Sequence, residues 1–263
     1  MRIPGSTVLL TGATGGLGVA IARELHGRGA QLTLTGRRTE VLEPLAAELG
    51  ARALAADLGD RADLDRLLRE AGEVDILVAN AGLSAAGLLE EFEMEEIDRI
   101  LDVNLRAPIA MARALAPAMA RRGGGHLLFV SSLSGKAASA RSAMYNATKF
   151  GLRGFALGLR PDLRAQNVGV SVVCPGFIRE AGMFADSGAK LPTGVGTRSP
   201  QDVARAVVEA IERNRAEVDV APLTLRVGAI FASAAPGLAA TFTRVTGSDE
   251  LAVSIEDGRN EKS

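Results

Sequence analysis

Tyr145-Asn146-Ala147-Thr148-Lys149 sets a phenol and an ammonium four residues apart, which on a helix means one face and one turn. Tyr145 is the single tyrosine of the chain. A free phenol ionises near pH ~10, too high for efficient proton exchange at neutrality, and a neighbouring cation favours the phenolate and lowers that value. Such a pair can serve as general acid in one direction and general base in the other. The same spacing also occurs on solvated helix faces, so its surroundings have to decide. A second signal is Thr11-Gly12-Ala13-Thr14-Gly15-Gly16-Leu17-Gly18, which follows an apolar run and precedes the amphipathic residues 19–28. Glycines are required where a backbone turns sharply and where a diphosphate must approach peptide N–H groups at a helix N-terminus, because a Cβ would block the approach. Gly12, Gly16 and Gly18 fit TGxxxGxG, whereas Gly12, Gly15 and Gly18 fit TGxxGxxG. The loop alone does not choose between them, nor between either pattern and a plain glycine-rich connection.

The elements that must position these groups are legible in the hydropathy pattern. Short apolar runs at 7–10, 32–35, 51–55, 76–78, 126–130, 168–173 and 218–220 alternate with stretches of helical periodicity. Runs apolar on both faces imply strands covered on both sides, hence an α/β fold: a doubly wound, three-layer sandwich with a mostly parallel sheet of about seven strands. Ligands are then expected at the carboxyl ends of the strands. The end of the second strand reads Leu34-Thr35-Gly36-Arg37-Arg38, where a dinucleotide fold selective for NAD usually carries Asp or Glu. A carboxylate would repel the 2′-phosphate of NADP, whereas a guanidinium binds it with charge-assisted hydrogen bonds. NADP(H) is therefore favoured over NAD(H), with Arg37 as main contact and Arg38 as support. The alternative is that both arginines are solvated cap residues of the next helix.

Composition excludes several other classes. With 263 residues, 47% of them hydrophobic and 23% charged, the chain reads as one domain with one substantial core. Its formal net charge of -1 lacks the basic excess that phosphate-backbone binding requires, so nucleic acid is not an expected partner. A single cysteine, Cys174, precludes an intrachain disulfide, and His26 and His126 do not make a zinc set; no metal is expected. The first residues run directly into a strand-like segment, so a cytoplasmic protein without a secretion signal is expected. Residues 247–263 are polar and read as a frayed tail.

The glycine loop and YxxxK together resemble the short-chain dehydrogenase/reductase family. TGxxxGxG marks its compact single-domain branch and TGxxGxxG its larger epimerase-like branch. Asn80-Ala81-Gly82, after the 76–79 strand, is similar to the family's NAG element, and Asp57 in Ala56-Asp57-Leu58 to the position that holds the adenine ring. Both favour the compact branch. Thirteen residues before Tyr145, Ser132 falls at the family's catalytic serine; its hydroxyl would stabilise a developing alkoxide. Asn104 resembles the fourth catalytic residue, which holds a water in the proton relay. Pro108, lacking an N–H, leaves the Asn104 carbonyl free for that water, or simply kinks a helix. Pro175-Gly176 matches the turn beside the nicotinamide, with Ile178 following. Four residues after that glycine the family commonly has threonine, and this chain has Glu180. The resemblance, which spans residues 6 to about 220, thus implies Asn104, Ser132, Tyr145 and Lys149 as catalytic. It implies Gly12, Thr14, Gly15, Gly16, Leu17, Gly18, Arg37, Arg38, Asp57, Leu58, Asn80, Ala81, Gly82, Tyr145, Lys149, Pro175, Gly176 and Ile178 as cofactor-binding.

The reaction so implied is hydride transfer between NADP(H) and a carbonyl or secondary alcohol. Residues 227–243 carry no charge and are expected to form a substrate lid or subunit contact within a longer 222–246 segment. With Met183, Phe184 and Leu191 they suggest an apolar substrate. Two other readings stay open: a nonenzymatic dinucleotide-binding regulator or scaffold, and a reductase of a lipid-like substrate at a membrane surface. A homodimer through helices near 92–121 and 143–166, or a homotetramer, is implied by the resemblance only.

Overall fold

The computed structural model describes residues 1–182, 184–185, 196–235 and 237. Met183, Leu191 and the 247–263 tail lie outside them. Among the described residues seven strands form one sheet: β1 (Thr7–Thr11), β2 (Gln31–Thr35), β3 (Arg52–Ala53), β4 (Ile76–Ala79), β5 (Gly125–Val130), β6 (Val168–Pro175) and β7 (Glu217–Val220). Their order is β3-β2-β1-β4-β5-β6-β7 and every pairing is parallel. The helices are α1 (Gly16–Gly27), α2 (Thr39–Glu48), α3 (Arg61–Ala71), α4 (Met94–Leu101), α5 (Ala107–Arg121), α6 (Ala143–Arg164), α7 (Pro200–Glu212) and α8 (Leu223–Ala234).

Continuous apolar strands follow from cover on both faces. All residues of β4 and β5 are buried, and along β4 the side chains alternate between two cores. Ile76 and Val78 join a cluster with Ile21 and Leu25 of α1 and Val207 and Ile211 of α7. Leu77 and Ala79 join the other, with Leu67 of α3, Met111 and Leu115 of α5 and Leu152 of α6. The chain winds outward from β1 in one direction and from β4 in the other, so a crevice opens between their carboxyl ends.

Two elements differ from the hydropathy reading. The run at 218–220 belongs to a strand whose Glu217 and Asp219 share one face, with register partners Val172 and Cys174 on β6. Between α4 and α5 the chain stays helical through Pro108. It widens into a π-helical turn over Asp102–Arg106, in which the Ala107 N–H bonds the Asp102 carbonyl. Pro108 has no N–H to offer, and the wider turn absorbs that gap without breaking the rod.

Candidate active site

A cleft of about 2010 Å³ runs along the carboxyl ends of the strands, from the glycine loop to α8. At its floor the first glycines have no room for a side chain. Gly12 has φ +65°, and a Cβ there would lie 2.8 Å from the Ala81 Cα; at Gly18 it would lie 2.0 Å from the Gly12 carbonyl oxygen, and at Gly16 2.2 Å from the Ala181 Cβ. At Gly15 the nearest atom would be 3.6 Å away, an ordinary contact. Sterics thus select the Gly12, Gly16, Gly18 triad, the spacing the sequence left open. Thr14, Gly15 and Leu17 line the same wall.

Asn80 holds this loop rather than reaching into open space. Its amide donates to the carbonyls of Thr11 (3.1 Å) and Gly12 (3.2 Å), while the Thr11 hydroxyl accepts from the N–H groups of Asn80 and Ala81, both at 3.1 Å. Gly82 continues along the lining. At the far end of the crevice, Arg38 donates to the Thr14 carbonyl at 2.6 Å, whereas Arg37 is exposed and has no hydrogen-bond partner among the described residues. The hydroxyl of Thr35, which also lines the cleft, is buried without a partner among them. Asp57 accepts from Arg99 at 2.7 Å and from the Gly59 N–H at 2.9 Å, with Leu58 beside it. Burial pushes this carboxyl up, but those hydrogen bonds and the charges of Arg99 and Arg37 outweigh it and hold Asp57 below the usual carboxylate range.

Across the crevice, β5 ends in Ser131-Ser132 and α6 presents Tyr145 and Lys149. The Ser131 hydroxyl donates to the Lys149 carbonyl at 2.9 Å, pinning strand end to helix. Ser132 accepts from the Ser134 N–H at 3.1 Å, lies 3.4 Å from the Pro175 carbonyl and hydrogen-bonds the Tyr145 phenol. Lys149 is buried, donates to the Val130 carbonyl at 3.1 Å and lies 5.6 Å from the centre of the Tyr145 ring.

The ionisation of this pair runs opposite to the sequence expectation. Burial pushes Tyr145 up to about 12, and the Ser132 hydrogen bond offsets only part of that rise. The Lys149 ammonium donates to the Val130 carbonyl and not to the phenol oxygen. Burial brings Lys149 itself down to about 8. Asn104 stands behind the cleft, fully buried. Its side chain accepts from the Leu83 N–H at 2.6 Å and donates to the Leu83 carbonyl at 2.9 Å, so it fixes the segment after Gly82. Pro175, Gly176 and Ile178 complete the lining, while Glu180, at φ +72°, pairs with Arg179 at 2.8 Å on the surface. The rings of Phe177 and Phe184, which also line the cleft, are tilted against each other with centres 5.1 Å apart. Cys174 is buried and its thiol is pushed up to about 12 by that burial, an apolar filler and not a nucleophile.

One group of residues escaped the sequence reading. Lys136, just past Ser132, is buried between Glu217 and Asp219, and Arg153 reaches Glu217 at 2.5 Å. The alternate carboxylates of β7 were the available signal. Among the described residues there is no cluster of three or more metal-ligating side chains, and no helix is long and apolar enough to cross a membrane.

A glycine cradle at a helix N-terminus, opposed by a Ser–Tyr–Lys set across a strand-order reversal, defines a nucleotide-binding α/β protein with acid–base groups at its switch point. The short chain dehydrogenase family profile matches residues 6–192. Ketoacyl reductase HetN of Nostoc sp. is 36% identical over 227 residues, covering 83% of this chain and 79% of that protein. Among solved structures, a short-chain dehydrogenase from Sphingobium yanoikuyae in complex with NADPH superposes with a TM-score of 0.77 at 30% identity, covering 89% of this chain and 94% of that one. A 3-ketoacyl-(acyl-carrier-protein) reductase from Brucella melitensis complexed with NADH gives 0.75 at 30% identity, covering 83% and 97%. The chain belongs to the short-chain dehydrogenase/reductase family of oxidoreductases.

Proposed function

We propose that the chain transfers hydride between NADP(H) and a carbonyl or secondary alcohol of an apolar substrate, with Tyr145 as proton donor and acceptor. The observation that carries this reading is the shared cleft: the phenol, its serine and a buried lysine face the same crevice as the glycine cradle and Arg37. The cradle suits a dinucleotide because Gly12 and Gly18 let the loop close tightly at the start of α1, where a Cβ would strike neighbouring backbone, and because the Thr35 hydroxyl and the Arg37 guanidinium have no hydrogen-bond partner among the described residues. Gly12 to Gly18 would take the diphosphate, Arg37 with Arg38 the 2′-phosphate, Asp57 and Leu58 the adenine, and Lys149, Pro175, Gly176 and Ile178 the nicotinamide half. The bound nicotinamide supplies or accepts the hydride. Ser132 would hydrogen-bond the substrate oxygen and steady its developing charge. The phenol of Tyr145, neutral at pH 7, then gives its proton to that oxygen, and Lys149, whose ammonium dissociates near pH 8, stands close enough to help restore it.

An apolar substrate is supported by Phe177, Phe184, Leu225 and Ala229, which line the cleft, and by the ketoacyl reductase name of a relative. NADPH and NADH oxidation across a panel of small to bulky ketones and 3-oxoacyl thioesters tests the reading. Tyr145→Phe should lower kcat by about 10²–10⁴-fold with NADPH binding retained, and Arg37→Asp should shift preference toward NADH. Tight NADPH binding without turnover on any carbonyl would leave a nonenzymatic dinucleotide binder instead. A second reading, reduction of a lipid-like substrate at a membrane surface, is favoured by the exposed apolar stripe Leu223, Val227, Ile230 and Phe231 on α8. Flotation with liposomes separates it from the first, since only this reading requires co-migration.

A further inference from the structure

Four charged side chains lie beneath the Ser132 turn and outside the cleft. Lys136, 5% exposed, ends the short 3-10 turn Leu133–Gly135 that follows Ser132. Its ammonium contacts Asp219 at 2.5 Å and Glu217 more closely still. Glu217 in turn accepts from Arg153 on α6, one turn beyond Lys149. Two cations and two carboxylates make the cluster neutral, which is the condition under which buried charge is tolerated. The Lys136 carbonyl accepts from Ser233 of α8 at 2.7 Å.

The backbone of this turn has little slack. A Cβ on Gly135 would lie 2.6 Å from the Lys149 carbonyl oxygen and 2.8 Å from the Ser131 hydroxyl. The turn is thus held against α6 at one end, by Ser131, and against β7 and α8 at the other, by Lys136. Ser132 lies between the two attachments, and its hydroxyl has to meet both the phenol and the substrate oxygen. We infer that Lys136 is a positioning residue: its ion cluster with Glu217, Asp219 and Arg153 anchors the turn that aims Ser132 at Tyr145, so the rate of the chemical step depends on a residue that touches neither substrate nor cofactor. This rests on the reductase reading given above.

Lys136→Met alone would leave two buried carboxylates sharing one cation and can fail through folding. Lys136→Met combined with Asp219→Asn restores neutrality, leaving the Arg153–Glu217 pair, while the tether remains cut. In the double variant kcat for NADPH-dependent ketone reduction is expected to fall by about tenfold to a hundredfold, with KM for NADPH and the melting temperature near wild type. Hydrogen exchange of residues 131–137 should quicken while α6 stays protected. Recovery of kcat together with melting temperature would overturn the proposal, since a merely structural lysine would behave that way. If the wild type reduces no carbonyl, the reductase reading fails by itself; faster exchange of the turn then still supports the anchor, and unchanged exchange overturns it.

Discussion

At Tyr145 two effects oppose each other: burial holds the proton on the phenol, and the Ser132 hydroxyl stabilises the phenolate. Because the chain has one tyrosine and no tryptophan, tyrosinate absorbance reports this group alone. Ser132→Ala should move the titration to still higher pH and, on the reductase reading, lower kcat by about 10²–10³-fold. A titration that stays in place would mean the hydroxyl does not reach the phenol. The sign for stability is fixed by the raised value. The contribution of Tyr145 is full below its unfolded pKa of ~10 and is lost as pH rises through about 12. The positions of Tyr145, Lys149 and Ser132 were legible in sequence because helix spacing and strand ends are local properties. Their ionisation was not, because the protein that buries the phenol and the ammonium comes from other elements.

Among the elements, the π turn at Asp102–Arg106 determines where Asn104 points, and through it where Leu83 lies. Pro108→Ala returns an N–H that can bond the Asn104 carbonyl and draw the turn toward an ordinary α-helix. The variant should remain folded, with unchanged or slightly higher thermal stability, while the Leu83 amide exchanges faster and turnover falls several-fold. Undisturbed exchange at Leu83 would show that Asn104, not the proline, sets the wider turn. The strands were legible because cover on both faces leaves unbroken apolar runs, as in β4 and β5. The proline was legible too, but what the widened turn does was not, because Asn104 meets Leu83, 21 residues before it, only in the fold. The ion cluster was harder still: Lys136 and Asp219 are 83 residues apart and meet only once β6 and β7 pair.

For the molecule as a whole, His126 sets a limit on the acid side. It is 1% exposed at the start of β5, its Nε2 lies 2.9 Å from the Ser171 hydroxyl, and burial pushes its imidazole down to about 3. The unfolded chain takes up that proton near pH ~6.5, so stability is full above this value and is lost as pH falls toward 3. Between pH 6.5 and 4.5 the loss from this one group is roughly 2–3 kcal/mol. Urea midpoints for wild type and His126→Gln across that range should diverge, the variant losing less; parallel lines would show that the imidazole stays neutral in both states.

Among the described residues the sheet ends on β7 at one side and on the two-residue β3 at the other. An open strand edge invites an incoming strand from another molecule, and charges turned inward make such an edge poor to extend. Glu217 and Asp219, already committed to Lys136, do that on β7. The same carboxylates that brace the interior therefore also discourage edge-to-edge aggregation, and neutralising both would expose the protein to it.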